Sequence, residues 1–196
     1  MAMLLADGEA IMNRAVAAVE KVRGRLVRST QALEREGIPH AILGANAVLL
    51  RVESHGEGGE RMTPNVDLLV NRADAKAVGE ALVAAGFLSD PANPDLLRDG
   101  PAGGPRTRLR LLFAGEKVRD TDLLPNPEVT CAERIGGFRV LSLGALVQTN
   151  LVANRTVDRV HLRDLLDVGL IDESWKARYL PELAERLQLL IDTPDG

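Results

Sequence analysis

The segment from Gly37 to Ala47 constrains this chain more than any other. Gly37 closes a helix, Pro39 forbids its continuation, and the short apolar run Ile38–Leu43 that follows predicts a strand. Gly44 then passes the chain at once into a short buried helix, Ala45–Arg51. A strand that runs through glycine into a helix presents free backbone N–H groups and the positive end of the helix dipole at one point. Gly44 lets the backbone approach an anion closely, so Gly44, Ala45 and Asn46 form a candidate phosphate seat that needs no basic side chain. A tight turn without a ligand would use the same glycine.

Ahead of this segment, Ile11, Ala15, Ala18, Val22, Leu26 and Leu33 recur mostly at spacings of three and four. That pattern predicts an amphipathic helix from about residue 8 to 36. After it come a polar loop at His55–Thr63, expected to be mobile, and a second buried strand at Val66–Val70. A helix capped by Asp74 runs through Ala85. Residues 89–105, with Pro91, Pro94, Pro101 and Pro105, read as loop or hairpin tip. Thr107–Ala114 is a third strand and Phe138–Leu141 a fourth, following the Gly136–Gly137 turn. From Ser142 onward the pattern is helical, with helices to about Asn154, over Asp158–Val168, and from Pro181. The expected architecture is therefore α/β (α+β): a mixed sheet of about four to five strands with flanking helices and a C-terminal helical segment. Residues 1–141 would form the core and 142–196 the helical segment packed on it.

Asn65 and Asp67 stand two apart on the second strand, so their side chains share one face while Val66 and Leu68 enter the core. Paired carboxylates at such positions would chelate Mg²⁺. Here Asp67 alone carries charge and Asn65 offers a neutral carbonyl. Arg106, Arg108 and Arg110 alternate along the next strand and so also share a face. Such a row sits in open solvent or faces an anion, with guanidinium charge standing in for metal charge.

Taken together, a glycine turn after a strand and then Thr63-Pro64-Asn65-Val66-Asp67 resemble the nucleotidyltransferase superfamily, the polymerase-beta-like fold. Residues 112–119 (LFAGEKVR), 136–143 (GGFRVLSL) and 158–164 (DRVHLRD) are similar to small bacterial proteins of its abortive-infection and toxin–antitoxin branch. The resemblance spans roughly residues 30–172. It implies attack of an acceptor hydroxyl on the α-phosphate of a nucleoside triphosphate, with two Mg²⁺ ions held by an acidic set. In that scheme Asp67 is the catalytic, metal-binding carboxylate. Gly44, Ala45, Asn46, Asn65, Arg110 and Asn150 would face the nucleotide or phosphate.

The chain departs from the pattern where the metals should sit. Asn65 replaces the first carboxylate, the strand carrying Arg108 and Arg110 has no acid, Asn150 stands where relatives carry lysine, and Val157 precedes Asp158 where they show Lys-Asp. The expectation is a nucleotidyltransferase-like protein with an incomplete carboxylate set, holding Mg²⁺ weakly or not at all and binding a nucleotide or other phosphate compound weakly. Two alternatives stand beside it. One is an active Mg²⁺-dependent enzyme using Asp67 with Glu53, Glu57 or Glu60; the other is a non-catalytic scaffold for a protein partner.

Composition narrows the remaining classes. A net charge of −4 argues against a general nucleic-acid coat, and 3% aromatic residues leave little for base stacking. The single Cys131 suits a reducing compartment, and no apolar run approaches a membrane span, so the cytoplasm is the default location. His161, Asp164 and Asp167 at three-residue spacing read as a surface hydrogen-bond and salt-bridge row. Trp175 reads as a core anchor for the C-terminal helices.

Overall fold

The structure, a computed structural model, describes residues 2–56, 63, 65–104 and 107–193. Most of the expected loop after Ser54, residues 57–62, lies outside these, with Glu57 and Glu60; so do Pro64 and Arg106. The helices are α1 (Ala2–Arg35), α2 (Gly44–Ser54), α3 (Ala75–Ala84), α4 (Leu143–Ala153), α5 (Thr156–Asp167) and α6 (Pro181–Asp192). The strands are β1 (His40–Leu43), β2 (Val66–Val70), β3 (Leu88–Asp90), β4 (Asn93–Arg98), β5 (Arg108–Phe113), β6 (Ala132–Ile135) and β7 (Phe138–Leu141).

The strands form one mixed sheet in the order β3-β4-β5-β2-β1-β7-β6. Among the described residues it has seven strands, not the four to five expected from sequence. The three extra ones are hidden for two physical reasons. β3 and β4 form a hairpin next to β5 across the stretch read as loop, and a register shift between Ser89 and Asp90 falls near Pro91 and Pro94. β6 is an edge strand without a fully buried residue, so it lacks an apolar signature.

α1 ends as its glycine predicts: Gly37 adopts φ +65°, and the Ile38 N–H donates back to the Leu33 carbonyl at 2.9 Å. The helix packs on α3 and on β2, joining Leu26 and Leu33 to Val78 and Leu82 in the core. Arg25 and Arg28 both pair with Asp99, fastening α1 to the end of the β3–β4 hairpin. Asp74 stands at the N-cap of α3 but makes no cap bond to the backbone; its carboxylate accepts from the Asn71 side chain at 2.9 Å. Ser142 at the N-cap of α4 likewise makes no side-chain cap bond. Trp175 sits in a 3-10 turn, Glu173–Arg178, partly buried against the core.

β2 lies between β1, antiparallel to it, and β5, parallel to it. Val66, Leu68, Leu69 and Val70 are fully buried. Truncating any of the leucines would cost about 2–5 kcal/mol. Strand alternation then leaves Asp67 as the polar side chain on the same face as Arg108 and Arg110 of β5, opposite Leu109 and Leu111. α2, α4 and α5 pack on one another beside that face. The C-terminal end of α4 is closed by two arginines from elsewhere. Arg186 of α6 donates to the Leu151 and Val152 carbonyls, and Arg119 to that of Ala153.

Candidate functional site: a cleft between β2–β5 and α5

The β1–α2 junction and β2 meet through the register Leu43↔Asp67. Gly44 adopts φ +66°, and a β-carbon built there would lie 2.7 Å from Asp67 Oδ2. Two conditions therefore select glycine: the left-handed backbone and the space the carboxylate fills. Asn46 fixes the junction from the other side, its Nδ2 donating to the Asn65 carbonyl at 2.7 Å. Among the described residues no side chain caps α2, which leaves its first N–H groups to a ligand.

Asp67 does not stand alone. Arg110, its direct neighbour across the parallel β2–β5 pair, donates from Nε to Oδ1 at 3.0 Å and from Nη2 to Oδ2 at 3.1 Å. This is a fork-on-carboxylate pair, the best-oriented kind of ion pair. Asn65 Oδ1 accepts the Arg108 N–H at 3.1 Å, so that oxygen too is engaged by β5.

These residues floor a cleft of about 730 Å³ whose other wall is α5 and the end of α4. Gly44, Ala45, Asn65, Asp67, Arg108, Arg110 and Asn150 all line it. Asn46 does not: it is buried beneath the junction and serves the backbone bond already described. Asn150 is buried as well, with Nδ2 donating to the Leu146 carbonyl at 2.8 Å and Oδ1 facing His161 Nδ1 at 3.2 Å. Its amide reaches the cleft through that histidine. Glu53, on α2, is exposed and does not line the cleft.

Several cleft residues were not singled out as site residues from the sequence. Arg155 is the N-cap of α5, and buried Asp158 accepts both its N–H and its guanidinium, at 2.8–2.9 Å. Arg119 and Asp122 repeat the arrangement in the connection after β5. The signal was present as two Arg-x-x-Asp spacings. The hydrogen bonds that the Arg155 guanidinium donates to Asp158 raise the Arg155 pKa above its ordinary value, with Asp67 and Asp122 adding to it through space. His161 is half-buried rather than a surface residue, and burial lowers its pKa below 6.5.

No protein-family model matches the chain, and no curated protein matches it in sequence. Solved structures do match. JHP933 from Helicobacter pylori superposes over 91% of this chain and 76% of its own, with a TM-score of 0.53 and 18% identity. A candidate nucleotidyltransferase of the same organism covers 93% and 78%, with a TM-score of 0.52 and 15% identity. The antibiotic-resistance factor ANT(2'')-Ia covers 87% and 82%, at a TM-score of 0.47 and 12% identity. The chain has a nucleotidyltransferase-like fold.

Among the described residues, the donor set does not fit the magnesium pair that the sequence resemblance implies. Both oxygens of Asp67 are engaged by Arg110, the Asn65 carbonyl oxygen is taken by a backbone N–H, and the β5 residue facing Asp67 is a cation. Asp122 and Asp158 are each held by their own arginine. Among the described residues no three acidic, histidine or cysteine side chains group as a metal site.

Proposed function

We propose that this nucleotidyltransferase-like protein holds a nucleotide or other phosphate-bearing small molecule in the β2–β5 cleft without a magnesium pair. The observation that carries the reading is the fork between Arg110 and Asp67 at the position where metal charge would act. Asp67 orients the guanidinium, and the free edge of Arg110, the Arg108 side chain and the uncapped start of α2 supply donors for an anion. Binding is weak, because the cleft's charge nearly balances: Arg108, Arg110, Arg119 and Arg155 stand against Asp67, Asp122, Asp158, Asp164 and Asp167.

The test is a thermal-shift panel of the four nucleoside triphosphates, each with Mg²⁺ and with chelator. A ligand at 100 times its dissociation constant stabilises the fold by about 2.7 kcal/mol. The expected result is a shift that survives chelation. A shift seen with Mg²⁺ alone supports the active-enzyme reading, and no shift with any nucleotide turns attention to a scaffold role. No helix among the described residues is long and apolar enough to cross a membrane. With the lone cysteine, that is the support for placing the protein in the cytoplasm.

A further inference from the structure

Across the cleft from Arg110, a short relay fixes one nitrogen of His161. The Leu146 carbonyl can only accept a hydrogen bond, so it selects the Asn150 amide nitrogen, which donates to it at 2.8 Å. The Asn150 oxygen is thereby turned toward His161 Nδ1, 3.2 Å away. An oxygen at that distance calls for a proton on Nδ1. In the neutral ring the other nitrogen, Nε2, then carries the lone pair. Asn150 is almost wholly buried between α4 and α5, so the relay is part of the packed wall.

From this geometry we infer that His161 Nε2 is a fixed neutral hydrogen-bond acceptor on the cleft wall, and that the cleft's ligand is a phosphate ester whose body carries a hydroxyl. The inference rests on the phosphate reading above and adds the second end of the ligand. A bare phosphate would satisfy the arginine side and leave His161 without a donor. A sugar phosphate or nucleotide can engage both. Aliphatic side chains such as Val48, Leu49, Val52 and Val160 line the space and fit the carbon skeleton between the polar ends. Burial lowers the ring's pKa and so favours the neutral form, against the opposing fields of Asp158, Asp164 and Asp67; Arg155 acts in the same sense as burial.

Long-range ¹H–¹⁵N spectra of the labelled protein at neutral pH test the relay before any ligand is added. The expected His161 signal is that of the Nδ1–H tautomer, lost to a mixture in Asn150→Ala. A protonated Nε2 in the wild type overturns the inference. The second arm compares ribose 5-phosphate with inorganic phosphate. Ribose 5-phosphate should move the Nε2 shift, and His161→Phe should weaken its binding about fivefold, the worth of one neutral hydrogen bond, while inorganic phosphate is unaffected. Equal binding of both probes with no dependence on His161 sinks this inference and leaves the phosphate reading standing. Binding of neither sinks both.

Discussion

Arg110 and Asp67 share both carboxylate oxygens across a parallel strand pair, at 3.0 and 3.1 Å, on residues 43 apart in sequence. Asp67 is 20% exposed and Arg110 34%, so solvent screens the pair only in part. Each therefore governs what the other can bind.

Arg110→Met should remove phosphate binding and cost about 1 kcal/mol of stability, the loss of a part-screened fork. Asn65→Asp by itself should leave Mn²⁺ affinity unchanged, because Arg110 still occupies Asp67. Asn65→Asp combined with Arg110→Ser should bind Mn²⁺ measurably, and the metal should raise that variant's melting temperature. Titration calorimetry on the three proteins decides it. Mn²⁺ binding by the wild type as tight as by the double variant would show that the fork is no obstacle.

Gly44→Ala should be costly rather than mild, by about 2 kcal/mol, combining a left-handed backbone with displacement of Asp67. In an Asp67→Ala background the steric part disappears, and the same change should cost about 1 kcal/mol. Urea denaturation of the four proteins of this cycle gives the coupling. Additive costs would mean that the 2.7 Å approach has no energetic weight.

His40 is buried, its Nδ1 lies 2.9 Å from the Ile38 carbonyl and its Nε2 has no partner among the described residues. Burial lowers its pKa below 6.5, as it does for His161. The unfolded chain thus takes up protons that the folded one refuses as pH falls through about 6.5, so stability is full above that value and declines below it. His40→Leu should flatten the fall in urea midpoint between about pH 7.5 and 5.5. An unchanged slope would remove His40 from the acid response.

Asp158 satisfies the start of α5 and orients Arg155 at once. Asp158→Ala should cost about 1–2 kcal/mol, whereas Asp158→Asn, which keeps an acceptor for the N-cap N–H, should cost less. Chemical denaturation of the two variants checks the order. The same loss in both would assign the effect to charge rather than to capping.

The strand–glycine–helix unit, the face shared by Asn65 and Asp67, and the helices after Ser142 were legible because each rests on local spacing. The β3–β4 hairpin was not, since its prolines sit where the ladder is irregular and the sheet tolerates them. β6 escaped because an edge strand with Glu133 and Arg134 at its centre carries no apolar alternation. The arginine row was seen, but not that Arg110 would meet Asp67: that depends on β2 and β5 running parallel in one register, which no short window contains. Nor does the sequence show that the Asn150 side chain meets His161. Only the packing of α4 on α5 decides which way its amide turns.

The glycine, carboxylate and guanidinium at positions 44, 67 and 110 also bear on inheritance. Consider any lineage drifting from this arrangement toward a metal-dependent one. Losing Arg110 first strands a half-buried Asp67 without its counter-charge, and gaining an acid at position 65 first adds repulsion that no ion yet relieves. Enlarging residue 44 is blocked while the carboxylate fills its space. Each single step is harmful or idle, so selection acts here as a ratchet, and positions 65, 67 and 110 are expected to change together across descendants or not at all.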